Sequence, residues 1–160
     1  MARKNLLLGV ITALLMSACT DDVEQGAVTV TAAGVLRVLH HPCGSDNVVR
    51  TLRLMVPVGP VVGDGDDVEL WKVVAVANST SASVETFEPR NLPASYRETI
   101  PLDTPAQGEE VAIYLETRHG STGLMTFVWG ALKPGRLLTD DGLKSRSEWL
   151  SYAIEGCGGT

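Results

Sequence analysis

A chain of 160 residues with 19 acidic against 13 basic side chains carries a formal charge of −6. Its basic residues form no cluster, so it lacks the electrostatic footprint of a nucleic-acid-binding protein. No self-similar period of roughly 20–50 residues runs along it, which excludes a solenoid or a propeller.

The N-terminus reads MARKNLLLGVITALLMSAC, in which Arg3 and Lys4 form a positive region and Leu6 to Leu15 an uncharged apolar one. Small residues Ser17 and Ala18 then lead into Cys19. The apolar run is half the ~20 residues of a membrane span. With a basic flank before it and small residues after it, it fits a removable secretory signal. A cysteine directly after the small residues resembles the lipobox of bacterial lipoproteins. Met16 stands where that family usually has Leu, with Leu15 one position further out.

The resemblance implies cleavage after Ala18, diacylglycerol and further palmitate-type chains on Cys19, and an extracytoplasmic domain held by lipid on the bacterial cell membrane. Several acyl chains on one residue make such an anchor stable where a single chain is not. Residues 1–18 are then the signal peptide and 19–26 a lipidated tether, whose Asp21, Asp22 and Glu24 suit a solvated spacer. Residues 27–160 form one domain of a size that buries about 68–70% of its unfolded surface. Plain secretion with a free Cys19 and an uncleaved anchor are the competing readings. Removing residues 1–18 takes away Arg3 and Lys4 and no acid, so 11 basic residues face 19 acidic ones and the charge becomes −8.

From residue 27 onward, short β-branched runs are cut by Gly, Pro, Asn and Asp, the pattern of an all-β domain. The expected strands are 27–31, 35–40, 48–56, 68–77, 83–88, 96–102, 110–118 and 124–131. The clearest is EEVAIYLETR, where Val111, Ile113 and Leu115 alternate with Ala112, Tyr114 and Glu116, so that one face is buried. A turn over His119, Gly120, Ser121, Thr122 and Gly123 leads into LMTFVWGAL. Apolar residues on both faces of that run predict a central strand, hairpin-paired with the one before it.

At the C-terminus, Ser145 and Glu148 have capping-box spacing. Trp149, Ala153 and Cys157 then recur every four residues, which predicts a short helix ended by Gly156. A last strand competes, since Leu150, Tyr152 and Ile154 also alternate. The sum is a two-sheet antiparallel sandwich. It resembles immunoglobulin-like domains in its layers and departs from them in its cysteines, so no immunoglobulin function carries over.

The chemically densest stretch is RVLHHPCGSD, which holds His40, His41 and Cys43. With Cys19 assigned to lipid, Cys43 and Cys157 remain, and two cysteines in an oxidising compartment normally pair. A bridge over 114 positions would stabilise by about 4.7 kcal/mol in the chain-entropy model. A free Cys43 acting with His119 is the catalytic alternative, but no family signature surrounds either residue. His40, His41 and His119 also offer three nitrogens, the number a catalytic zinc site uses. Adjacent strand residues point to opposite faces, so His40 and His41 can share an ion only if the chain turns at Pro42.

The acidic GDGDD at 63–67 offers Asp64, Asp66 and Asp67 to a hard cation but lacks the distal Glu of a calcium loop. Asp140, Asp141 and Gly142 read as a turn. Asn78-Ser79-Thr80 reads as a polar loop, and Glu109-Glu110 offers no acid–base pair across a cleft. No phosphate loop, zinc-protease helix or hydrolase elbow occurs. The expected function is a non-enzymatic binding or structural module of the cell envelope without cofactor. Its partners would be the membrane, through acylated Cys19, and an envelope protein or glycan. A histidine-based metal or small-ligand carrier is the alternative.

Overall fold

The computed structural model describes residues 25–59, 66–76, 80–81, 83–120 and 122–157. The signal segment, Cys19 and the tether up to residue 24 lie outside the described residues, as do Asp64, Asn78 and Ser79. The described chain forms β1 (Gly26–Val30), β2 (Leu36–His40), β3 (Val49–Val56), β4 (Val68–Ala75), β5 (Glu85–Phe87), β6 (Tyr96–Ile100), β7 (Glu110–Thr117), β8 (Thr122–Val128), β9 (Leu137–Thr139), β10 (Gly142–Lys144) and α1 (Arg146–Gly156). The strands make two antiparallel five-stranded sheets, β10-β9-β1-β2-β5 and β6-β4-β3-β7-β8. The result is a β-sandwich with a C-terminal helix.

Alternation explains which side chains meet. Val28, Leu36, Val38 and Phe87 of the first sheet face Leu52, Leu54, Trp71, Val73, Ile113 and Met125 of the second, and all are buried. The expected inward set Val111, Ile113 and Leu115 is at most 2% exposed. Gly26 lies where the sheets close at the start of β1, and a larger residue there would require its neighbours to shift. A Cβ there would lie 3.0 Å from Leu115 Cδ1 and 3.1 Å from Met125 Cε.

Eight strands coincide with the expected segments to within three residues, and two points depart from expectation. The hairpin of β7 and β8 forms, with Ile113 opposite Met125, but β8 is an edge strand rather than a central one. Leu124 and Val128, read as a second buried face, are 38% and 45% exposed. Alternation reports one buried face and does not say whether a strand has one neighbour or two. The Asp140-Asp141 turn is also the link of a small hairpin, β9 to β10, with Thr139 opposite Gly142. Three-residue strands are too short to show a period.

The outward residues of the first sheet form a second apolar surface. Ala27, Leu39 and Leu137 pack against Trp149 and Ala153 of α1, making a separate buried cluster. The capping box forms as its spacing predicts: Ser145 Oγ accepts from the Glu148 N–H, and the Glu148 carboxylate accepts from the Ser145 N–H. The Ser145 N–H first, then the Ser145 hydroxyl, lower the pKa of the Glu148 carboxyl. At the other end Cys157 caps the helix and is bridged to Cys43, with 5.0 Å between the Cα atoms. The bridge thus fastens a helix to the loop after β2, whereas the immunoglobulin bridge joins sheet to sheet.

Trp149 and Trp71 have no exposed surface, and Trp149 is the main side chain binding α1 to the sheet. Trp149→Ala should lower unfolding stability by about 3–5 kcal/mol in urea titration, the usual cost of emptying a buried aromatic site. A loss below about 1 kcal/mol would show that α1 lies outside the cooperative unit.

Candidate functional site

The alternation that buries Leu36 and Val38 also turns His40 inward, so the imidazole enters the space between the sheets and is 2% exposed. Its cross-strand partner in register is Glu85 at the start of β5, itself 5% exposed. His40 Nδ1 lies 2.9 Å from Glu85 Oε2. The same oxygen accepts the Val49 N–H at 3.0 Å, and Glu85 Oε1 accepts the Tyr96 hydroxyl.

Val49 opens β3 and Tyr96 opens β6, both in the second sheet. One carboxylate of the first sheet therefore binds two strands of the other. Hydrogen bonds to charged groups contribute about 1.5–3 kcal/mol each, against the cost of taking the carboxylate out of water. Tyr96 is fixed by the edge of Phe87, with centroids 4.8 Å apart and an interplanar angle of 86°. Burial, then the hydrogen bond to Glu85 and its charge, raise the Tyr96 phenol far above its ordinary range, with Arg118 pulling weakly the other way.

Histidine, carboxylate and phenol are the residue types of an acid–base site, but their placement here favours a structural joint. Glu85 is engaged by three donors. His40 Nε2 is buried and has no partner among the described residues. Glu85 and Tyr96 border a cleft of about 260 Å³ whose other walls carry the hydroxyls of Thr80, Ser81, Ser83, Thr86 and Ser95. That cleft can offer hydrogen bonds, while the groups at its base are already committed.

The other candidates go to separate places. His41 points to the opposite side of the strand end, with Nδ1 3.7 Å from Cys157 Sγ. Burial first, then neighbouring His40, lower its pKa, against its backbone hydrogen bond. Gln25 Nε2 donates to Cys43 Sγ, so the bridge sits between an amide and an imidazole. With both sulfurs in a disulfide, Cys43 provides no thiolate nucleophile.

His119 is exposed and lies 3.2 Å from Asp46 Oδ2. Among the described residues, no group of three or more His, Cys, Asp or Glu converges as a metal site. In the acidic loop, Asp67 Oδ1 accepts the Val58 N–H, and in the last hairpin Asp141 pairs with Lys144 at 2.7 Å.

Glu85 and Tyr96 were missed by sequence reasoning. One signal was present in SVETFEP, where Glu85 shares a strand face with Phe87. A carboxylate on a core-facing position demands partners. The pairing itself joins residues up to 45 positions apart, which no local pattern reports.

The raised phenol has a consequence at high pH. The folded chain holds the Tyr96 proton more tightly than the unfolded chain, whose phenol titrates at its ordinary value near 10. The stability this gives is complete below about pH 10 and is lost as the pH rises further. Tyr96→Phe should flatten the alkaline fall in urea-unfolding stability, and equal slopes above about pH 10 would contradict the network. No protein-family model matches the chain, and comparisons with curated proteins and with solved structures likewise find no match.

Proposed function

We propose that this chain is a lipid-anchored, extracytoplasmic domain of the bacterial cell envelope, a non-enzymatic module that presents its sandwich to a partner protein or glycan. The observation that carries the reading is how the three cysteines divide. Cys43 and Cys157 are consumed by a bridge, which suits an oxidising compartment. Cys19 is left over, directly after a basic, apolar and small-residue sequence that resembles a lipobox. Among the described residues no helix is long and apolar enough to cross a membrane, and lipid on Cys19 would supply attachment instead.

The polarity of β1 gives the anchored domain an orientation. The chain enters at Gln25 and Gly26, beside His40 and the loop of Cys43. β1 ends at Val30, next to the turn at 31–35. A short tether therefore keeps the stapled end toward the bilayer and turns the opposite end outward. A histidine-based carrier has less support, because His40, His41 and His119 serve three different partners.

Metabolic labelling with an alkynyl palmitate tests the anchor. The wild-type chain should be labelled and sediment with membranes, and Cys19→Ser should lose both properties together. Labelling that persists in Cys19→Ser, or is absent from the wild type, would contradict the reading.

A further inference from the structure

The end of the sandwich opposite the tether carries two adjoining clefts that share Val30 as a wall. The first, of about 230 Å³, is bordered by Phe127, Trp129, Leu132, Gln107 and the glycines 34 and 130. The second, of about 370 Å³, is bordered by Thr29, Thr31, Pro134 and the arginines 37 and 146. We propose that this end is a saccharide site for an acidic glycan, with the ring on the Trp129 side and the carboxylate toward Arg146. The proposal rests on the binding-module reading above and names the ligand class, but it does not depend on the lipid anchor.

Three features favour a sugar. Trp129 is partly exposed and backed 6.4 Å away by Phe127, itself only 8% exposed, so the Trp129 ring alone offers an apolar surface of the kind that takes the C–H face of a sugar. Trp129 is fixed in place through its backbone: its N–H donates to the Glu109 carbonyl at 2.7 Å, and its carbonyl accepts the Gly108 N–H at 3.1 Å. Both main-chain groups are thus used, so a peptide cannot pair with Trp129 as an added strand.

Gln107 supplies the polar handle. Its amide lies on Gly130, where an added Cβ would overlap Gln107 Nε2 at 1.8 Å and φ is +87°. Only glycine at 130 lets the amide sit there, and that amide has no hydrogen-bond partner among the described residues. A carboxamide offers both donors and an acceptor, which matches the alternating needs of sugar hydroxyls.

The second cleft favours negative charge. Arg37 is held by Glu88, at 2.5 Å. Arg146 is exposed on the first turn of α1 and has no ion-pair partner among the described residues. A guanidinium pairs with a carboxylate through two parallel hydrogen bonds. In a chain with a formal charge of −6, a cation without an acidic partner among the described residues, in the cleft that adjoins Trp129 through Val30, selects an anionic group on a ligand otherwise read by hydroxyl and ring contacts.

Intrinsic fluorescence can report occupancy, because Trp71 and Trp149 are fully buried and Trp129 alone of the three is partly exposed. The purified full chain in detergent is titrated with a tetrasaccharide of galacturonic acid and, separately, a neutral tetrasaccharide of galactose. The acidic probe should shift the emission saturably. Arg146→Gln should weaken it roughly tenfold, as expected for one charge-assisted contact, and bring it to the level of the neutral probe. Gln107→Ala, an exposed position that leaves the fold intact, should weaken both probes alike.

Equal binding of the two probes by the wild type, or no saturable change with either, would overturn the proposal. A wild-type chain that ignores both sugars yet crosslinks in cells to an envelope protein through residues near Trp129 would overturn it too, while leaving the binding-module reading standing. Loss of palmitate labelling alone would bear on the anchor and not on this site.

Discussion

The rest of the fold depends on one buried carboxylate. The faces that meet between the two sheets are built from Val, Leu, Ile and Met with the rings of Trp71, Phe87 and Phe127, side chains whose burial is favourable but largely non-directional. Such a core drives the sheets together without fixing how one lies on the other. Glu85 adds the direction. It is hydrogen-bonded to His40 within its own sheet and to Val49 and Tyr96 across the core, so its place defines where β3 and β6 begin relative to β2 and β5. A carboxylate in this setting is costly if any partner is lost and rigid when all are present.

That joint lies at the end where the chain enters, and the other constraints gather around it. The residue after His40 leads into Pro42 and the bridge, and the bridge ties down the last turn of α1. Because α1 covers the outward face of the first sheet, the molecule has three layers rather than two. The outward face of the second sheet stays in solvent, laced by Arg53 over the Tyr114 ring at 4.3 Å and by Glu69 with Lys72 at 3.1 Å. One end of the sandwich is therefore closed by a disulfide and by buried hydrogen bonds. The opposite end is built from the turns beside Trp129 and the first turn of α1 at Arg146.

What the sequence disclosed follows from the range of each interaction. The β7–β8 hairpin was legible because alternation and turn chemistry are local. The helix was legible because Ser145 and Glu148 lie within one turn, and the bridge because setting aside Cys19, in its lipobox-like context, leaves two of the three cysteines as a pair. The edge position of β8 was not, since apolar Leu124 and Val128 look alike whether covered or exposed. Glu85, His40 and Tyr96 were not recognised as one site, because their meeting is a property of sheet stacking. The histidines attracted attention for being adjacent in sequence, yet adjacency on a strand is what separated them.

The account is tested most directly by a double-mutant cycle on urea-unfolding stability between Glu85→Gln in the first sheet and Tyr96→Phe in the second. If the carboxylate joins the sheets, the two changes should be coupled by about 1–3 kcal/mol, the range for contacting residues in one network. Effects that add to within about 0.3–0.5 kcal/mol would show the two groups to be independent and would contradict the central role given to Glu85.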